Sequence, residues 1–265
     1  MKKYFVIGNP IDHSLSPKLH NYWIKKHKIE AIYDKKKLNK DELNNVINEI
    51  KDKKISGLNV TVPFKKDVIP YLDKLSEEAK KTQSVNTIYL NSGNIVGHNT
   101  DVTGFENAIK NINYDFSGKT VFIIGAGGVV PSILLALSRM DISKIFITNR
   151  TIEKITPFKN LFENMEILNW GHVPDFDIVI NATSLGLNKN DEIQINFQNS
   201  GNKKLFYDVI YNPPETNFLK KGKKLGNLTE NGKLMFIYQA LEAFNLWHGT
   251  KIEINEETIE LLKND

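Results

Sequence analysis

A strand, a glycine-rich turn, a helix and a second strand follow one another in the middle of the chain and constrain its fold most. The apolar strand pattern at 121–124 is followed by Gly125-Ala126-Gly127-Gly128, by a predicted helix from Pro131 to Met140 and by a strand pattern at 144–148. These pieces within about 30 residues form a dinucleotide-binding unit, because the glycines let the backbone approach a pyrophosphate at the helix N-terminus. We therefore expect a Rossmann-type domain, with Gly125, Ala126, Gly127 and Gly128 at the cofactor.

The residues after the second strand of this unit indicate which nicotinamide cofactor fits. Binding the ribose 2′-OH of NAD calls for Asp or Glu about 20 residues beyond the glycine turn. This chain has Asn149-Arg150-Thr151 there, with Lys154 one helical turn later. A carboxylate would repel a 2′-phosphate, whereas Arg and Lys attract it, so the sequence favours NADP. The alternative is a solvated arginine beside a helix start.

The residues before this unit also alternate between strand and helix patterns, which predicts a second α/β domain with a largely parallel sheet. Strands are expected at 4–7, 31–33, 58–62, 85–90 and 95–97, a helix at 41–50, and helical turns over 65–81 that are interrupted near Pro70. Beyond the dinucleotide-binding unit we expect a strand at 206–211, a long helix that opens at Gly232 with Tyr238 and Leu241 on its apolar side, and a last helix at 256–263. A hairpin turn is expected at 91–94. We divide the chain into a substrate domain, 1–103 plus 234–265, and a Rossmann domain, 104–233, with C-terminal helices returning to the substrate domain.

Composition narrows the classes of function. The chain has no Cys, and its six His show no metal-ligand spacing, so we expect neither disulfides nor a metal site. The formal charge of +4 comes from lysines spread along the whole chain, which argues against a nucleic-acid partner. The apolar run at 4–7 is too short for a signal peptide, and no segment approaches a membrane span. We expect a cytoplasmic protein.

Polar side chains end one of the predicted strands of the first domain. Three apolar residues of the segment 57–65 alternate with Asn59 and Thr61, and Pro63 ends the strand before Lys65. An amide, a hydroxyl and an ammonium therefore point to one spot at a strand end, where ligands bind in α/β sheets. The alternative is an edge strand with a solvated lysine.

Two helix starts carry further candidate residues. Ser14 and Ser16 precede Pro17, so Ser16 is the expected N-cap of the following helix. Two hydroxyls at a helix N-terminus can also bind a carboxylate. Asp101 directly precedes a helix predicted to end near Asn111, and it can either cap that helix or act chemically.

Taken in order, these motifs resemble the shikimate dehydrogenase family over nearly the whole chain. The matching stretches are 8–17 (GNPIDHSLSP), 59–65 (NVTVPFK), 85–87 (VNT), 97–101 (GHNTD), 125–128, 149–151, 181–184 (NATS), 211–213 (YNP) and the helix of Gln239. The chain departs from the family pattern at four positions, Gln83, Val130, Lys154 and Leu234.

The resemblance implies the reversible reduction of 3-dehydroshikimate to shikimate with NADPH, by a monomer or homodimer. Lys65 would be the catalytic acid/base and Asp101 its partner. The implied substrate-binding residues are Ser14, Ser16, Asn59, Thr61, Asn86, Tyr211 and Gln239. The implied cofactor-binding residues beyond the glycine turn are Asn149, Arg150, Thr151, Lys154, Thr183, Ile210 and Gly232.

Two other functions compete with this one. A quinate/shikimate dehydrogenase of broader specificity often uses NAD, and the acidic residue expected for NAD is missing here. A nucleotide-binding regulator could keep the same fold without turnover. Such a regulator needs no proton donor, so the presence of both Lys65 and Asp101 argues against it.

Overall fold

The computed structural model describes residues 1–262 of the chain, which divide into two compact units. The first unit comprises Met1–Gly104 and residues 237–262, and the second comprises Phe105–Phe236. The chain passes from one unit to the other inside two helices, Thr100–Lys110 and Lys233–His248. Residues 263–265, which we assigned to the substrate domain, lie outside the described residues. Within 1–262, no helix is both long and apolar enough to cross a membrane.

The first unit is built on a six-stranded mixed sheet of order β2-β1-β3-β5-β6-β4. Its strands are β1 (Lys2–Gly8), β2 (Ala31–Lys37), β3 (Gly57–Val60), β4 (Lys74–Leu75), β5 (Thr87–Asn91) and β6 (Asn94–His98). Strand β1 pairs in parallel with β2 and β3, and β4 with β6, whereas β5 runs antiparallel to β3 and β6. The sheet is less parallel than expected because the predicted hairpin joins β5 directly to β6.

Eight α-helices lie in the described part of the chain. They are α1 (Ser16–Lys26), α2 (Leu43–Lys51), α3 (Glu77–Thr82), α4 (Thr100–Lys110), α5 (Val130–Leu137), α6 (Asn217–Lys224), α7 (Lys233–His248) and α8 (Glu256–Glu260). Helix α2 buries its apolar face in the same core as β1 and β3, as its spacing predicts. Helix α8 was expected to reach Lys263, which lies outside the described residues.

Two helical segments differ from their sequence patterns. Residues 65–81 hold only a short 3₁₀ turn at Ile69–Tyr71 before β4 and α3, because Pro70 cannot continue an α-helix. Helix α7 was expected to bury one side that included Tyr238 and Leu241. Both are only half-buried, whereas residues on other sides of the helix, such as Ile237 and Trp247, are buried.

The second unit is built on a wholly parallel six-stranded sheet of order β12-β11-β10-β7-β8-β9. Its strands are β7 (Lys119–Ile124), β8 (Ile142–Thr148), β9 (Met165–Leu168), β10 (Ile178–Asn181), β11 (Leu205–Asp208) and β12 (Leu228–Glu230). Counted within the unit, this is the strand order of a dinucleotide-binding fold. The order reverses between β7 and β10, so ligands are expected at the carboxyl ends of these two strands.

The core of the second unit draws on both regular and irregular segments. Every residue of α5 is buried, and this helix ends at Leu137 rather than at the predicted Met140. The connection from β10 to β11 has no helix, yet Ile193, Ile195 and Phe197 from it are buried in the same cluster as Phe206. Apolar side chains at alternate positions thus fix an irregular segment onto the sheet.

Candidate active site

An ammonium and a carboxylate from separate segments meet in the first unit. Lys65 follows β3, and its Nζ lies 2.6 Å from Oδ2 of Asp101 in the first turn of α4. The two side chains are only 14% and 8% exposed. The Lys65 carbonyl accepts a hydrogen bond from the backbone N–H of Val85 (2.8 Å). The pair is therefore a proton donor held beside a negative charge, largely away from bulk water.

Two asparagines, rather than Asp101, cap the start of α4. The Oδ1 atom of Asn99 accepts the Asp101 N–H (3.0 Å), and the Oδ1 atom of Asn86 accepts the Thr100 N–H (2.8 Å). Asparagine is among the best residues for satisfying the free N–H groups of a first turn. The alternative in which Asp101 caps the helix is therefore wrong, and its carboxylate faces Lys65 instead.

Side-chain amides extend this ion pair into a network. Asn86 Nδ2 donates to Oδ1 of Asp101 (2.9 Å) and to Oε1 of Gln239 on α7 (3.4 Å). Asn59 Nδ2 on β3 donates to the backbone carbonyl of Asn86 (3.1 Å). The structure thus brings five of the predicted residues together in the first unit, and the network offers amide groups next to a proton donor.

The predicted hydroxyl-bearing residues of the first unit lie in two places, at the start of α1 and beside Gly8. Ser16 is the first residue of α1 and not its N-cap, which is Leu15; the Ser14 hydroxyl accepts the Ser16 N–H (3.4 Å). Ser16 is 7% exposed at this helix start, and the hydroxyl of the buried Tyr33 on β2 donates to Oδ1 of Asn59 (2.7 Å). Thr61 packs its methyl group on the backbone of Gly8, where an added Cβ would come within 2.6 Å. We did not single out Tyr33 from the sequence.

The glycine turn of the second unit is built for close backbone approach. Gly125 has φ +112°, and an added Cβ would lie 2.8 Å from the carbonyl oxygen of Ala182. Ala126 is half-buried, and Gly127 and Gly128 are exposed just before α5. Only glycine adopts this conformation readily, and the exposed backbone N–H groups can meet an anion.

Two exposed cations follow the carboxyl end of β8. Asn149 Nδ2 donates to the carbonyl of Thr151 (2.8 Å), which closes the turn that carries Arg150. Arg150 and Lys154 are exposed, and neither has an ion-pair partner among residues 1–262. Both positive charges can therefore bind an anionic ligand.

A buried carboxylate organises the ends of β10 and β11. Asp208 Oδ1 accepts hydrogen bonds from Asn181 Nδ2 and from the Ile210 N–H, both at 3.0 Å, and Asn181 Oδ1 in turn accepts from the Thr183 hydroxyl (2.7 Å). The turn to Ile210 ends β11 at Asp208, three residues before the predicted end at Tyr211. The sequence signal that we missed is a carboxylate closing an apolar strand.

The remaining predicted residues of the second unit lie after β11. Gly232 packs against the Val209 carbonyl so closely that an added Cβ would lie 2.1 Å from the oxygen, and its N–H bonds to the Ile210 carbonyl (3.1 Å). Tyr211 stacks on Phe236, with ring centroids 4.3 Å apart. Ile210 and Gly232 are therefore held together near the carboxyl end of β11.

Replacing Asp208 by Asn should change how stability depends on pH. Burial raises the pKa of Asp208 from 3.8 to about 6, against the opposing effect of its hydrogen bonds. The folded state then holds this proton more tightly than the unfolded chain, so the stabilisation is present below pH ~4 and is lost as pH rises through ~6. Between these limits we expect the unfolding free energy of Asp208→Asn to rise relative to the wild type by about 3 kcal/mol.

Urea unfolding at several pH values between 4 and 7 checks this expectation. Asp175→Asn is the matched control, because the Asp175 side chain is 99% exposed. Its stability should follow the wild-type pH profile. Parallel profiles for Asp208→Asn and the wild type would contradict the assigned pKa.

Comparisons with known proteins agree with both units. Residues 6–88 match the shikimate dehydrogenase substrate binding domain, and residues 106–217 match the shikimate / quinate 5-dehydrogenase domain. The NADP(+) shikimate dehydrogenase of Pelagibacter ubique is 56% identical over 263 residues, which cover 99% of each chain.

Solved structures give the same assignment. A shikimate dehydrogenase from Aquifex aeolicus has a TM-score of 0.89 at 33% identity, covering 100% of this chain and 98% of its own. The enzyme from Thermus thermophilus, solved with NADP(H) and shikimate, has a TM-score of 0.90 at 26% identity, covering 99% of each chain. The predicted α/β fold class and the resemblance are thereby confirmed, and the chain belongs to the shikimate dehydrogenase family.

Proposed function

We propose that this chain catalyses the reversible reduction of 3-dehydroshikimate to shikimate with NADPH. The observation that carries the proposal is the largely buried pair of Lys65 and Asp101 within a network of amides from Asn86 and Gln239. Membership of the shikimate dehydrogenase family supports it. A nucleotide-binding regulator would not need a proton donor in such a site.

The chemistry at Lys65 follows from the reaction. Reduction of a ketone leaves negative charge on its oxygen, and an ammonium can both stabilise that charge and protonate the oxygen. In the direction of shikimate oxidation, the neutral amine accepts the hydroxyl proton. The Asp101 carboxylate, 2.6 Å from Nζ, orients the amine for both directions.

Substrate recognition is assigned to the polar groups of the motifs. Ser14 and Ser16 would donate to the substrate carboxylate, helped by Thr61 and Tyr211. The ring hydroxyls would meet the amides of the residues Asn59, Asn86 and Gln239. Hydroxyl and amide groups suit this ligand, because they pair with a carboxylate and with alcohols without adding charge to the site.

The second unit fits a phosphorylated dinucleotide. When bound, the nicotinamide cofactor supplies or takes the hydride. Gly125 and Gly128 let the backbone turn closely into α5, the exposed Gly127 can bring its backbone N–H to a pyrophosphate, and Arg150 with Lys154 offers positive charge for a 2′-phosphate. Thr183, Ile210 and Gly232 lie at the carboxyl ends of β10 and β11, near the point where the strand order reverses. A cytoplasmic monomer or homodimer without a nucleic-acid partner remains a prediction from the sequence.

Initial rates with shikimate and with quinate, each with NADP and with NAD, test the proposed function. We expect shikimate with NADP to have the highest kcat/KM, and quinate or NAD to lower it by at least about 10-fold, the value of one charged or buried hydrogen bond. Comparable rates with quinate would favour the dehydrogenase of broader specificity. Cofactor binding without turnover of either substrate would favour the regulator.

A further inference from the structure

A buried phenol holds one residue of the proposed substrate site in place. Tyr33 lies on β2, is 3% exposed, and its hydroxyl donates to Oδ1 of Asn59 on β3 at 2.7 Å. The phenol is therefore the hydrogen-bond partner of a residue assigned to a ring hydroxyl.

The position of this phenol is fixed from two sides. The Asn21 side chain bonds both backbone groups of Tyr33, donating to its carbonyl (2.7 Å) and accepting from its N–H (3.0 Å). The His20 ring stacks on the Tyr33 ring with centroids 4.1 Å apart and planes 1° apart. Burial, together with the nearby His248, lowers the pKa of His20 to about 3, so this ring is uncharged at neutral pH.

Hydrogen-bond accounting gives this bond its direction. An amide oxygen only accepts, so Tyr33 donates its one hydroxyl hydrogen to Asn59 Oδ1. Burial raises the pKa of Tyr33, which keeps that hydrogen in place.

The same accounting fixes what Asn59 can recognise. Both Nδ2 hydrogens of Asn59 are committed, one to the Asn86 carbonyl and one to Oγ1 of Thr87, each at 3.1 Å. Its Oδ1 accepts from Tyr33 and has one lone pair left for a ligand. Asn59 is therefore set to accept the hydrogen of an alcohol and not to donate to a carbonyl.

We propose that Tyr33 is a positioning residue that orients Asn59 for one ring hydroxyl of the substrate. The inference rests on the proposed function. The bond from Tyr33 to Asn59 stays intact, so the amide needs no reorganisation when the ring hydroxyl arrives.

Tyr33→Phe tests this positioning, because it keeps the ring stack and removes only the hydroxyl. We expect the KM for shikimate to rise about 10-fold, while kcat and the KM for NADP change by less than about 3-fold, since the lost orientation serves ground state and transition state alike. Initial rates and thermal unfolding of the same preparation measure both activity and folding.

Tyr4→Phe is the matched control. Tyr4 is another buried tyrosine of the first unit, and its ring stacks on Trp247, which is not a residue of the proposed site. Its KM for shikimate should stay at the wild-type value. A rise equal to that of Tyr33→Phe would mean that any lost buried hydroxyl has this effect, which overturns the inference.

A double-mutant cycle measures the coupling between two substitutions in their effect on KM, which a purely structural role of Tyr33 would not produce. In an Asn59→Ala background, Tyr33→Phe should raise the KM for shikimate by less than about 3-fold, because its effect acts through Asn59. Full additivity overturns the inference.

Asn21→Ala serves if Tyr33→Phe does not fold. Asn21 is exposed on α1, and the variant loosens the Tyr33 backbone while keeping the hydroxyl. It should raise the KM for shikimate in the same direction by about 3-fold, since one pair of hydrogen bonds is lost. A wild type that does not oxidise shikimate overturns the proposed function and this inference together. An active wild type with an unchanged KM in Tyr33→Phe, or in Asn21→Ala where that variant is needed, overturns the inference alone.

Discussion

Replacing Lys65 by Ala is expected to lower kcat for shikimate oxidation by about 10³-fold and to leave the KM for shikimate within about 3-fold of the wild type. Alanine removes the group that accepts or gives the proton at the reacting oxygen. That interaction strengthens as charge develops, so its loss falls on the transition state more than on the bound substrate. Steady-state rates at saturating NADP, with shikimate varied, separate the two constants.

The neighbouring Lys66 provides the control for Lys65. Lys66 is exposed, whereas the Lys65 side chain is 14% exposed and paired with Asp101. Lys66→Ala should therefore keep wild-type kinetics although it removes the same charge from the same segment. A loss in Lys65→Ala that is confined to KM would mean that Lys65 binds substrate without taking part in proton transfer.

The fold of the second unit was readable from the sequence because its signals are local. An apolar strand, a glycine turn and an apolar helix follow one another, and the structure places Gly125 at φ +112°, where its Cβ-free backbone fits against Ala182. Each signal depends on neighbouring residues alone. The irregular stretch between β10 and β11 carries no such periodicity, and its place in the core depends on distant residues such as Phe206.

The network of the first unit could be predicted only in part for the same reason. The residue types at 65 and 101 suggested acid/base chemistry, and the structure brings their side chains within 2.6 Å. Which side chain caps α4 could not be decided, because Asn99 is local to the helix start but Asn86, the residue before β5, reaches Thr100 from 14 residues away in sequence. Tyr33 escaped notice since its partner Asn59, on the neighbouring part of the sheet, is far from it in sequence.

At one departure from the family pattern, Gln83, the structure keeps the turn that ends α3. Gln83 stands where glycine is usual in the family, and it ends α3 in a left-handed conformation at φ +48°. Its Nε2 donates to the Lys80 carbonyl (2.8 Å), which satisfies a free acceptor of the last helical turn. The turn before Asn86 is therefore kept, and a side-chain bond replaces part of what glycine would contribute.

Replacing Arg150 by Ala should lower the affinity for NADPH by about 10- to 100-fold and the affinity for NADH by less than about 3-fold. A charge-assisted contact to a phosphate contributes about 1.5–3 kcal/mol, and NADH has no 2′-phosphate. Arg150 follows β8 in a turn closed by Asn149, and no carboxylate among residues 1–262 neutralises it. Fluorescence titration with each cofactor measures binding independently of turnover. The preference for NADPH over NADH should decrease as the salt concentration rises, because salt screens the contact between charges.

Lys159→Ala is the control for Arg150, because it removes another exposed cation from the same connection between β8 and β9. The affinities for NADPH and NADH should both stay at the wild-type values, because a positive charge elsewhere on this surface does not contact the 2′-phosphate. The loss of NADPH affinity in Lys154→Ala should lie between those of the other two variants, because a flexible lysine ammonium contacts a phosphate as a point charge, whereas a guanidinium can make two hydrogen bonds to it. Equal losses of affinity for NADPH and for NADH in Arg150→Ala would refute the contact of Arg150 with the 2′-phosphate. The cofactor preference would then have to come from other residues.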